Sequence, residues 1–347
     1  MKKLVITACV TMLCASLQAQ LLYWDSNGTA AGAGATPTGN WGTDSFWNTS
    51  SAGTDTPGAW TPGATAVFSA GTDATSAFTV TLGSAQTAAK IHVEEGTPTF
   101  NGSTLTLNGI ATVEVASGRT AIVGTTILAG NAGLTKEGPG TLQINGAANT
   151  YTGNTTVKAG AIRIGAAATT FGSQSTIGTL ILDGGNFETT ANRTVVNPFE
   201  IRQNATISKD SGSTTRTVTF TNLLTTSPGV TITLRNPGTA TNSIRFTGGA
   251  VSDANWVLGQ AGDGTNIVQF MGNTNWPDQV FSGTISGPGM LRRTSTLEGI
   301  GANTILSGNN TYSGNTEIHG GRIGFGRSST GNPVTSGPIG TGTLTLL

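Results

Sequence analysis

The chain has 347 residues, with 17 basic and 17 acidic side chains, 10% charged residues, 36% hydrophobic residues and 51 Gly. Zero net charge removes the electrostatic reason to expect nucleic acid or an anionic membrane surface as a partner. Disorder goes with low hydrophobicity and high net charge, so this composition points instead to a thin core spread along many short strands. Roughly sixty Thr favour strands, and Gly and Asn favour the turns between them.

The chain opens as an export signal. Lys2 and Lys3 precede an apolar stretch, residues 4–17, that is too short to span a bilayer comfortably. Leu17-Gln18-Ala19 is a cleavage site before Gln20, although Leu17 is larger than the preferred small residue. Ile6-Thr7-Ala8-Cys9 fits a lipoprotein-type box, but Cys9 comes too early to follow a full apolar region. Cys9 and Cys14, the two cysteines, both lie inside the signal. The mature chain therefore has no disulfide, no thiolate metal site and no Cys nucleophile. Secretion or display at the cell surface is the expected destination.

Residues 20–77 form a second region. Trp24, Trp41, Trp47 and Trp60 are four of the six Trp, accompanied by Phe46 and Phe68. Exposed, such rings bind sugars, which makes Trp41 and Trp47 the candidate ligand-binding residues. Buried, they cap the first coil of a stacked array, and arrays need caps. The cap is the favoured use.

From Phe78 onward, residues 78–347 read as short strands. Examples are 78–82, 105–107, 113–115, 141–144, 161–164, 179–182, 217–220 and 231–234. Apolar and polar residues alternate in each, and Gly, Asn or Pro punctuates most gaps. No helical period stands out. A membrane barrel needs strands of about ten residues and aromatic girdles, and these strands are about half that length. Sandwich, propeller and β-helix all remain compatible with the spacing alone.

Self-similarity favours the last. Residues 149–165, NTYTGNTTVKAGAIRIG, return at 310–326 as NTYSGNTEIHGGRIGFG, with Tyr151 matching Tyr312. A phrase repeated at fixed spacing marks a stacked repeat. Gly153 and Gly160 allow positive φ at a corner. Asn154 can bond in its own turn or stack on neighbouring Asn as a ladder. Tyr151 can cover the corner with its hydroxyl in water, while Ile162 and Ile164 point inward.

The run Gly133-Leu134-Thr135-Lys136-Glu137-Gly138-Pro139-Gly140-Thr141-Leu142, followed by 149–160, resembles the autotransporter-associated β-strand repeat, also called the passenger-associated transport repeat. The resemblance implies an all-β, right-handed parallel β-helix with a Trp-rich N-terminal cap. It also implies a secreted or surface role, and it brings no catalytic residues. The first copy spans about 132–165. The second, about 281–326, departs in its first half: Arg292-Arg293-Thr294 replaces a Thr-Lys-x-Gly stretch, and 295–303 is an insertion.

Candidate chemistry is sparse. Glycoside hydrolysis needs two carboxylates facing one cleft. Glu94 and Glu95 are adjacent, and adjacent strand residues face opposite sides. Asp25, Asp44, Asp55, Asp73, Asp183, Asp210, Asp253, Asp263 and Asp278 are isolated, mostly in Gly-rich turns. His92 and His319 stand without a second ligand and read as solvated or hydrogen-bonded histidines. Residues 259–266, GQAGDGTN, faintly resemble a calcium turn in a single imperfect copy. Arg292 and Arg293 read as a solvated pair. No catalytic residue, metal site or cofactor is expected.

The resulting expectation is an exported, non-enzymatic β-helical structural or surface protein. Its partners would be cell-envelope polysaccharide or other surface proteins. A carbohydrate-binding or adhesive module and a β-helical polysaccharide lyase or hydrolase are the alternatives. Residues 339–346 begin the same phrase as 177–182, which runs on into Asp183-Gly184-Gly185, so the reading frame is expected to continue past Leu347 with further coils. The mature protein should begin at or near Gln20 and migrate identically with and without reductant. N-terminal sequencing that finds Met1 retained, or a lipid on Cys9, would contradict this.

Overall fold

The computed structural model describes residues 19–146, 149–165, 170–209, 213–248, 250–272, 278–295 and 303–347. Residues 1–18 of the expected signal, with Cys9 and Cys14, lie outside the described residues, as do Asp210 and most of the insertion at 295–303. The described residues contain strands and turns and no α-helix.

The strands form three long sheets. The first runs from Leu21–Trp24 to Ile323–Phe325, the second from Gly39–Trp41 to Ile285–Ser286, and the third from Arg193–Val195 to Leu344–Leu346. Pairing within them is parallel, apart from Trp47–Asn48, which runs antiparallel on Leu21–Trp24. Each strand is bonded to its counterpart one coil away, so the chain is a parallel β-solenoid. The Trp-rich stretch supplies the first strands of the first and second sheets.

Alternation decides the inside. Thr141–Ile144 pairs with 120–123 on one side and 161–164 on the other. Ala121, Leu142, Ile162 and Phe187 are register partners in succession and are fully buried. Each Leu or Ile so placed contributes about 1.5–3 kcal/mol of apolar burial. In the third sheet Phe220, Phe246 and Phe270 are partners, their rings stacked with centroids 5.6 and 6.3 Å apart.

Side-chain amides bind the corners of successive coils. Asn101, Asn186, Asn192, Asn204 and Asn255 each accept a backbone N–H from a Thr on the following coil, at 2.7–3.1 Å. These bonds satisfy backbone donors where the sheet ladder is interrupted.

The structure separates what the sequence shows as two equivalent phrases. In the first copy, Thr155–Val157 lies in the first sheet and Ala161–Ile164 in the second. In the second copy, Thr316–Ile318 lies in the third sheet and Ile323–Phe325 in the first. The second copy is thus displaced by one side of the coil. A strand–corner–strand unit makes its defining contacts locally and to the adjacent coil, so it can serve any corner.

Leu142→Asp places an unpaired charge in the shared core and should cost about 3–5 kcal/mol. Thr141→Asp, on the outward face, should cost far less. Denaturant unfolding of both variants checks the difference, and equal effects would contradict the assigned faces.

Candidate functional site

The repeat corner is the first constellation that both copies share. Asn149 Oδ1 accepts the backbone N–H of Leu128 at 2.9 Å, and Asn310 Oδ1 accepts that of Ile285 at 2.8 Å. Two residues on, the backbone N–H of Tyr151 bonds Leu128 O and that of Tyr312 bonds Ile285 O, both at 3.2 Å. The phenol of Tyr151 hydrogen-bonds Thr155 Oγ1 at 2.7 Å, and that of Tyr312 bonds Thr316 Oγ1 at 2.5 Å. Both rings are buried, which corrects the expectation of a wet hydroxyl. Burial raises both phenols well above the ordinary tyrosine value. Asn154 Oδ1 and Asn315 Oδ1 accept the N–H of Thr179 and Thr343 on the next coil, at 2.9 and 3.3 Å. Asn154 therefore fastens coil to coil. Gly153 and Gly160 take φ of 86° and 63°.

Just before the corner sits a buried cation. Lys136 pairs in register with Val157, and Arg293 with Ile318, 21 residues later in the first copy and 25 in the second. The interval is four residues longer in the second copy, and Arg293 occupies the place of Lys136. Lys136 is fully buried and donates to the carbonyls of Glu137 and Gly138 at 2.7 Å and of Ala159 at 3.2 Å. Arg293 is 1% exposed and donates to the carbonyls of Phe270 and Thr294. The solvated pair expected at 292–293 is thereby corrected. Arg292 lies outside, bonded to Glu317 at 2.8 Å, and Arg293 lies inside. Parity was the available signal: Arg293 is two residues from the inward Leu291.

Trp41 and Trp47 are 0% and 2% exposed. Their centroids are 5.0 Å apart, and Trp24, Trp60 and Phe68 pack on Trp47 at 5.1, 4.4 and 5.6 Å. Neither ring offers a face to a sugar in this packing. Trp24 Nε1 donates to Pro37 O at 2.6 Å, which holds the cluster to the loop above it.

The glutamates of the described residues lie along the outer faces, each beside a Lys, Arg or His. His92 Nδ1 lies 3.3 Å from Glu94, and its Nε2 lies 3.8 Å from Glu114. Lys90 also bonds Glu114, and that hydrogen bond outweighs burial and holds the carboxyl below its usual value. Arg119 bonds Glu95 at 2.8 Å, Arg163 bonds Glu188 at 2.7 Å, and His319 bonds Glu317 at 3.0 Å. In the 259–266 turn, Asp263 grips Arg235 Nε at 2.9 and 3.1 Å and accepts the N–H of Gln260 at 3.1 Å. Among the described residues no three His, Cys, Asp or Glu side chains gather as a metal site. No described helix is long and apolar enough to cross a membrane.

The shared corner carries a pH signature. Burial lowers Lys136 from 10.5 to about 8. The unfolded chain then holds more protons than the folded one between those values, so stability rises with pH from about 8. Above the ordinary tyrosine value of 10.0 the raised phenols reverse the sign, because only the unfolded chain ionises. Denaturant midpoints from pH 7 to 11 should pass through a maximum near pH 10. Lys136→Arg, which copies the second corner, should remove the rising limb while keeping the fold. An unchanged rise in that variant would assign it to another group.

Comparison with known proteins places these corners. Residues 134–164 and 301–323 match the passenger-associated-transport-repeat family. A stretch of 151 residues, 42% of the chain, is 41% identical to the adhesin BmaC autotransporter of Brucella suis biovar 1 (strain 1330), and the match covers 4% of that protein's length. No solved structure matches the chain. The chain thus carries two stretches that match the passenger-associated transport repeat.

Proposed function

We propose that the chain is an exported, non-enzymatic segment of a passenger-type surface protein, and that its work is structural: it extends and displays. The observation that carries this reading is the pairing of two transport-repeat corners with a continuous parallel solenoid. The identity to an autotransporter stretch supports it. The placement of Glu95, Glu188, Glu317 and Asp263 supports the non-enzymatic part, because each faces a cation and not a second carboxylate across a cleft, as glycoside hydrolysis needs.

Adhesion is the second reading, favoured by the name of the Brucella relative. Contact would then fall on the outward faces of the sheets, with Trp41 and Trp47 acting through the stability of the first coil.

Antibodies raised against the folded chain should label intact cells of the source organism, and the purified chain should release no new sugar ends from plant, algal or envelope polysaccharides. Labelling only after permeabilisation would overturn the surface role. Sustained turnover of any of these polysaccharides would overturn the non-enzymatic one.

A further inference from the structure

The third sheet opens with the strands Arg193–Val195, Arg216–Phe220, Asn242–Phe246 and Asn266–Gly272. These four strands hold three Arg and no Asp or Glu. An open groove of about 320 Å³ crosses the outer face of the first three, lined by Asn192, Arg193, Thr194, Thr217, Thr219 and Arg245.

Arg245 departs from the pattern of the other outward arginines. Arg119, Arg163, Arg235 and Arg292 each meet a carboxylate of a neighbouring coil at 2.7–2.9 Å. Thr194, Thr219, Arg245 and Gln269 are register partners in succession, so the rung beyond Arg245 offers an amide instead of a carboxylate. Arg245 Nε donates to Gln269 Oε1 at 3.0 Å, and neither Nη finds an acceptor among the described residues. Arg193 donates to the carbonyls of Gly165 and Asn192, the latter at 2.6 Å. Burial, and secondarily Arg216, hold the Arg193 guanidinium below the ordinary arginine value, so this face crowds like charges. The hydroxyls of Thr194, Thr217 and Thr219 carry no other hydrogen bond among the described residues.

Two parallel N–H groups of a guanidinium fit a carboxylate bidentately. A threonine hydroxyl both donates to and accepts from a sugar hydroxyl. The lining has no apolar side chain to form the dry centre of a protein interface. It has no aromatic ring on which a nucleic-acid base could stack. Successive rungs lie about 4.8 Å apart, close to the advance of a linear polysaccharide per pyranose. We propose that this groove binds a uronate-bearing polysaccharide, with the Arg245 guanidinium on a sugar carboxylate, Arg193 adding positive charge and the threonine hydroxyls on ring hydroxyls. Such binding would make the third sheet the adhesive face, and so rests on the adhesive reading.

Binding of the full exported chain to immobilised polygalacturonate, neutral dextran, polyglutamate and single-stranded DNA tests this. The chain should bind polygalacturonate, more weakly as salt is added, and leave the other three unbound. Arg245→Gln should weaken polygalacturonate binding about tenfold, the loss of one charge-assisted pair, with an unchanged melting temperature. Arg163→Gln, which removes an equal charge from the second sheet, should bind as the wild type does. Unchanged binding in Arg245→Gln, or an equal loss in Arg163→Gln, would overturn the groove. So would polyglutamate or DNA bound as tightly as polygalacturonate, and that comparison stands even if a variant fails to fold. Cells of the source organism held by a surface coated with the chain, without polygalacturonate binding, would overturn the groove and keep the adhesive reading. A chain that holds neither would end both.

Discussion

The parallel register between successive coils is the constraint on which the rest of this molecule depends. Each inner strand completes its backbone hydrogen bonds on the coil before and the coil after, so the chain must advance by one strand spacing and return to the same phase every turn. The inward ladder of Ala121, Leu142, Ile162 and Phe187 exists only because that phase is kept. A one-residue slip would turn every one of these side chains outward. The corners enforce the phase. Asn side chains reach across to the next coil where strands stop, and the Tyr151–Thr155 bond closes the turn from within. Buried cations fit the same logic. Lys136 lies where the chain leaves a strand and three carbonyls converge, so its ammonium finds acceptors in an otherwise apolar interior.

Alternation of apolar and polar residues made the strands readable. Thr141–Ile144 and Ala161–Ile164 lie where their pattern predicts, because one buried face imposes a period of two. The repeated phrase made the stacking readable, since a local corner recurs with its residues intact. The third sheet was not legible. Its strands alternate like the others, and which sheet a strand joins depends on how many residues the preceding corners consume. The displacement of the second copy by one side of the coil has the same origin. Arg293 was readable in principle. Its parity with Leu291 placed it inside, but two adjacent arginines suggest solvent unless an acceptor is known, and the acceptors belong to another coil.

The outer faces explain how so few charges suffice. Lys90–Glu114, Arg119–Glu95, Lys158–Glu137, Arg163–Glu188, Arg235–Asp263 and Arg292–Glu317 each join neighbouring coils. Exposed pairs of this kind are worth about 0–1 kcal/mol each, so they do not hold the solenoid together. Their effect is to neutralise like charges that a stacked register would otherwise set one above another. Glu114 and Glu137 are direct register partners, and each is met by a cation from a neighbouring rung or coil. Thr fills much of what remains, presenting a hydroxyl outward on a side chain that suits a strand. Faces of this kind are polar without a strong field.

A solenoid solves the edge problem along its length and leaves it at its ends, where unpaired backbone invites another strand. The Trp-rich beginning deals with one end by geometry as well as by bulk. Trp47–Asn48 lies antiparallel on Leu21–Trp24 and takes the outermost place in the first sheet. Trp47 then exchanges two backbone bonds with Gly58, at 3.0 and 2.8 Å. In the first sheet the edge is thus taken by two short, reversed segments, so the parallel ladder does not run on past Leu21–Trp24. The same residue drives its indole into the ring cluster beneath, so the strand that blocks the edge is anchored by the side chain that fills the first coil. Aromatic packing and edge protection are therefore one device, and burial of Trp47 is what makes the reversed strand stay.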